Sequence, residues 1–184
     1  MVMNNWVVVQ TNGLPILPGN PEPAPMSVVA VNQNNSSKVF SIQPFANFPQ
    51  GAGSNCYSAG AVDPQANLIY TMDAGPGRLG AVRLGPAGLS LVWTVPQNTQ
   101  EFLTLIGPRR HRVLVGTDSP GQNAANPTYQ NVVWRDAATG QELARSPALT
   151  PISTGTMVQP SYWGRIYDPA ADGQIIELAV RPAR

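Results

Sequence analysis

Asn131-Val132-Val133-Trp134-Arg135-Asp136-Ala137-Ala138-Thr139-Gly140-Gln141-Glu142-Leu143 reads as a β-hairpin. A β-branched and aromatic run comes first and a short strand last. Between them, Asp136 and Thr139 are side chains that close a turn by hydrogen-bonding backbone N–H groups, and Gly140 suits the positive φ at its end.

Segments upstream and downstream align with this hairpin at intervals of about fifty residues. Val28–Val31 is followed by a polar turn, Asn32 to Lys38, and then by Val39–Ile42. Gly80–Leu84 is followed by Gly85 to Gly88 and Leu89–Trp93. Near the end of the chain, Ile175–Val180 repeats the first run alone. A second hairpin alternates with the first: Ala61–Pro64 with Leu68–Thr71, Leu105–Pro108 with Val113–Gly116, and Val158–Pro160 with Arg165–Asp168. Pro64, Pro108 and Pro160 stand just past the first strand of each pair, where a missing N–H does not interrupt a ladder. Two alternating hairpins make a four-stranded antiparallel unit, and its repetition is the pattern of β-propeller blades. A β-sandwich with accidental self-similarity has similar strand spacing; the matching prolines and near-constant period favour blades.

The segment 131–143 resembles the third strand, turn and fourth strand of the pyrroloquinoline-quinone-type (quinoprotein-like) propeller repeat, a β run followed by Asp-x-x-Thr-Gly and a strand often ending in Trp. Gly88 and Trp93 match the later part of that pattern, and Asn32 to Lys38 is a loose version of its turn. The resemblance extends over roughly residues 55–180 and names a blade type rather than an activity. It implies an all-β fold of four-stranded antiparallel blades, in a family often periplasmic or extracellular.

Counting strands predicts one propeller segment, 1–184. A partial blade, 1–48, lacks its first strand; two full blades follow at 55–97 and 101–147; a partial blade, 155–180, lacks its fourth. The tally is about three and a half blades, whereas closed propellers have four to eight. Open sides of this kind expose strand edges and apolar faces. They invite cover by a second copy of the chain, by a different protein, or by further blades of a longer propeller.

Composition narrows the function classes. The chain has 17 Gly and 19 Pro but only 11% charged residues, with Lys38 the single lysine, too few charges to solvate a helical bundle. Hydrophobic residues make up 42%, too many for a disordered tail. A net charge of +1 gives no basic face for nucleic acid. One cysteine, Cys56, and one histidine, His111, do not make a zinc site. No stretch approaches the roughly 20 apolar residues of a membrane span, and no signal peptide is evident, so a soluble chain of unknown compartment is expected.

The resemblance implies where chemistry would sit: quinoprotein dehydrogenases use an Asp, a calcium held by carboxylates and an amide, and often a vicinal cysteine pair. No Cys-Cys exists here, and Asp63, Asp73, Asp118, Asp136, Asp168 and Asp172 fall mostly in turn contexts. Pro108-Arg109-Arg110-His111-Arg112 is a solvated hairpin tip or an anion patch. Cys56 reads as a small buried residue, and Gly75-Pro76-Gly77 as a hairpin turn rather than a phosphate loop. No catalytic residue, cofactor or metal is therefore assigned. The candidate contact residues are Tyr162 and Trp163 at a hairpin tip, Ile176 and Leu178 on the last strand, and Pro18, Pro21 and Pro23 in a proline-rich loop, 12–26. That loop and 118–129 both join second to third strands, so both emerge on one face.

The function expected is a non-catalytic propeller segment that binds or scaffolds another protein chain. The alternatives are a fragment of a larger quinoprotein-like enzyme whose catalytic residues lie elsewhere, and a carbohydrate-binding module using surface aromatics.

Overall fold

A computed structural model describes residues 1–13, 24–49, 59–99, 101–119, 129–151, 158–170 and 172–180. Four antiparallel sheets follow one another along the chain. The first holds β1 (Val2–Met3), β2 (Trp6–Thr11), β3 (Ser27–Asn32) and β4 (Asn35–Ile42). The second holds β5 (Ala61–Asp63), β6 (Leu68–Asp73), β7 (Arg78–Gly85) and β8 (Gly88–Pro96). The third holds β9 (Thr104–Ile106), β10 (Val113–Asp118), β11 (Asn131–Asp136) and β12 (Glu142–Arg145). The fourth has three strands, β13 (Gln159–Pro160), β14 (Ile166–Pro169) and β15 (Ile175–Leu178). Each is a meander in sequence order, and no α-helix occurs among the described residues. The fold is the all-β partial propeller of four-stranded antiparallel blades that the repeat predicts.

The first sheet corrects one expectation. Its first strand is not absent: Val2–Met3 pairs with Trp6 and Val7. The cause is Asn4-Asn5, both at positive φ (47° and 65°), as a two-residue type I′ hairpin turn requires. The terminal amine and carbonyl of Met1 then extend the pairing to Val8, each bond 2.8 Å. The strand after the polar turn also starts earlier than expected, at Asn35.

Sheets stack through alternating side chains, and three buried clusters mark the junctions. Trp6, Val8, Val28 and Ala30 face forward onto Ile69, Val82 and Leu84 of the second sheet. Leu68, Tyr70, Met72, Leu79 and Ala81 face forward onto Leu103 and Leu114 of the third. Val115, Val132 and Trp134 meet Val158 and Ile166 of the fourth. Strand β6 is buried at every position because both of its faces are covered, so it reads as a near-continuous apolar run rather than an alternating one. Each fully buried large side chain contributes about 1.5–3 kcal/mol.

A buried polar network ties the second sheet to the third. Arg135 donates from Nε to Gln97 Oε1 at 2.6 Å and from Nη1 to the Gly140 carbonyl at 3.0 Å. Gln97 in turn donates to the Thr117 carbonyl at 3.0 Å, so the link after β8 is fastened to β10.

Candidate interaction surface

The turn in 131–143 forms as its residue types dictate. Asp136 Oδ1 accepts from the Ala138 and Thr139 amides at 3.1 and 2.8 Å and from the Thr139 hydroxyl at 2.8 Å. Gly140 takes φ 76°. What the turn does next depends on its neighbour. Trp93, on the fourth strand of the second sheet, lies against Gly140 and donates its indole N–H to the Ala137 carbonyl at 3.2 Å. The fourth strand of one sheet thus seats its aromatic on the Asp-x-x-Thr-Gly turn of the next.

Among the described residues, the next junction lacks that partner. In the second sheet Ala81 on the third strand stands opposite Trp93 on the fourth; in the third sheet the sizes are exchanged, with Trp134 on β11 opposite Ala144 on β12. Both pairs sit beside the same bulge and face the following sheet. Trp134 and Ala144 together with Val113, with Trp163 from the turn between β13 and β14, and with Ala179 and Val180 just past β15, line a largely apolar groove of about 270 Å³. Trp134 is buried, yet its Nε1–H has no acceptor among the described residues. A buried donor left unmade costs about 1–3 kcal/mol.

A hairpin tip forms the groove's outer wall. Tyr162–Gly164 is a single 3-10 turn between β13 and β14. Trp163 (φ 66°) and Gly164 (φ 71°) both lie in the left-handed region, which costs a non-glycine residue about 1–2 kcal/mol. Tyr162 and Trp163 are 86% and 95% exposed, so burial does not compensate that strain.

Strand β15 completes the surface. Among the described residues it pairs with β14 alone, leaving its outer edge open. Leu178 is half-buried and packs on the cluster of Val115, Val132 and Trp134, and Ile176 is half-buried on the same inward face. Ile175, 73% exposed, is the large apolar residue of this strand that meets solvent. Of the other candidates, Trp163 lines the groove with Ala179 and Val180 just past this strand, Tyr162 is exposed beside it in sequence, and Pro18, Pro21 and Pro23 lie outside the described residues. So do Cys56 and most of the two long loops.

The acidic residues divide into two kinds. Asp63, Asp73, Asp136 and Asp172 cap turns by accepting backbone amides, as their sequence contexts suggest. Asp118 and Asp168 instead accept bonds from side chains of other elements. Asp118 accepts from Arg145 at 2.8 Å and from the Asn98 amide at 2.9 Å. Asp168 accepts from Gln130 Nε2 at 3.2 Å, and burial raises its pKa. Glu101, also fully buried, is pushed up to about 8 by burial and then by the Asp168 charge. His111, the single histidine, is exposed at the Pro108–Arg112 hairpin tip. Among the described residues no three metal-ligating side chains converge. No helix among them is long and apolar enough to cross a membrane.

No protein-family model and no curated protein sequence matches the chain. Among solved structures it is similar to the crystal structure of BamB from Moraxella catarrhalis, at 14% identity and a TM-score of 0.32. The alignment takes in 85% of this chain and 59% of that one, so the chain spans well under two thirds of its neighbour's length.

Proposed function

We propose that this chain is a non-catalytic propeller segment that binds protein by accepting a β-strand at the open edge of β15. The open outer edge of β15 beside an apolar groove carries this reading, and among the described residues the indole N–H of Trp134 behind that groove has no acceptor. At the preceding junction the equivalent aromatic, Trp93, bonds a carbonyl of an Asp-x-x-Thr-Gly turn. A turn and strand added beside β15 would bring such a carbonyl to Trp134, fill the groove and pair the exposed edge. Strand addition draws affinity from main-chain bonds and specificity from pockets for alternate side chains, and the groove is such a pocket. Trp163, held strained and exposed at the groove's rim, is placed to close over the incoming segment. The turn chemistry of Asp136–Gly140 supports reading the third sheet as a quinoprotein-like blade, and the last sheet as a blade of that kind with three strands among the described residues.

A synthetic peptide reproducing residues 136–145, a turn and fourth strand of the type the last sheet lacks, is the probe. Added to the full chain, it is expected to bind saturably and shift tryptophan emission to the blue, a shift lost in Trp163→Leu. A peptide N-methylated at alternate positions cannot extend the ladder and is expected not to bind. Equal binding of the two peptides, or no binding of either, overturns the proposal.

A further inference from the structure

Among the described residues, the first sheet presents the opposite problem from the fourth: an uncovered face rather than an uncovered edge. In the second and third sheets, the face turned toward the preceding sheet is buried, through Ile69 and Val82 in one and Leu114 in the other. The matching face of the first sheet carries Val2, Val7, Val9, Val29, Val31 and Val39. Register sets them in rows across the strands, Val2–Val7–Val31–Val39 and then Val9–Val29, ending at Ser41. Val2 is 60% exposed, and Val7, Val9 and Val39 are exposed as well. An apolar surface spanning every strand of a sheet marks an interaction site.

We infer that this valine face packs against the same face of a second copy of the chain, making a two-fold dimer. Two occupants compete for it. Continuing the stack head to tail would set the forward face of another chain's fourth sheet here. That face carries Glu177, which pairs with Arg165 at 2.7 Å and accepts the Tyr167 hydroxyl at 3.0 Å, with both charged side chains about half exposed. Pressing it onto valines would strip the ion pair of water and return nothing. The valine face fits itself better. Its strands add only Ser, Thr and Asn at the margins, so a two-fold axis sets no charge against its own kind. Rows of β-branched side chains interdigitate across the spacing of about 10 Å at which sheets pack face to face.

This inference rests on reading the chain as a protein-binding segment, but it uses the end of the stack opposite to β15. Light scattering of the full chain across a range of concentrations tests it. A dimer is expected. Val7→Lys, whose side chain points outward from the middle of the face, is expected to weaken that dimer by about tenfold or more while near- and far-ultraviolet circular dichroism stays native. Val39→Thr, nearly equal in shape, guards against a folding defect and is expected to weaken it less. Ile175→Lys, at the far end, is expected to leave it unchanged. A monomer at every concentration overturns the inference, and so does a dimer lost with Ile175→Lys but kept with Val7→Lys. The peptide of residues 136–145, titrated into the same samples, separates the two readings. A monomer that binds it defeats only self-pairing; a valine-dependent dimer that ignores it defeats only strand capture.

Discussion

The indole of Trp93 lies so close to Gly140 that a Cβ there would stand 2.8 Å from its Cδ2 and Cε3 atoms. Sheet-to-sheet registration therefore depends on the one residue type with no Cβ, held at φ 76°. The aromatic of one repeat and the turn glycine of the next form a single joint.

Gly140→Ala meets both a steric and a conformational penalty. It is expected to lower stability by about 2–4 kcal/mol in urea unfolding. Gly173→Ala, also at positive φ but with nothing within 4 Å, isolates the conformational part and is expected to cost about 1–2 kcal/mol. Equal losses for the two would remove the Trp93 contact from the account.

Arg135 braces the same joint from beneath, through Gln97 and the Gly140 carbonyl. Arg135→Met leaves both oxygens buried without that donor and is expected to cost about 2–4 kcal/mol. Arg135→Lys is expected not to restore it, because one ammonium does not reproduce the divergent Nε and Nη1 bonds. Urea midpoints of the two variants check this.

How much of this was legible in the sequence depends on the range of the interaction. The Asp136–Gly140 turn is local chemistry, bonded within five residues, and its reading holds atom by atom. Val2–Met3 escapes because two residues carry no period; only the Asn4-Asn5 pair signals the hairpin. The exchange of Trp93/Ala81 for Trp134/Ala144 is invisible without cross-strand register, which shifts at a bulge in both sheets. Asp168-Pro169 looks like a turn initiator, but whether a carboxylate is buried is decided by what packs over it, here Gln130 just before β11.

Glu101 and Asp168 give stability a pH dependence of definite sign. Burial, with the Asp168 charge second, pushes Glu101 up to about 8, so the folded chain keeps a proton that the unfolded chain releases. The stabilisation is complete below the usual carboxylate range and is lost as pH rises toward 8. Asp168, raised chiefly by burial, adds in the same direction. Urea stability is expected to fall between roughly pH 5 and pH 8, by up to about 1.4 kcal/mol per pH unit for each proton. Glu101→Gln is expected to flatten that slope; an unchanged slope would exclude Glu101 as its source.

Amide hydrogen exchange along Ile175–Leu178 tests most directly whether the last sheet is a strand acceptor. In the chain alone, the amides on the outer edge of β15 are expected to exchange much faster than those of Val132–Arg135, which have a strand on each side. Adding the 136–145 peptide is expected to slow them toward the β11 rates. Protection equal to that of β11 in the chain alone, or rates unmoved at saturating peptide, would contradict strand capture at this edge.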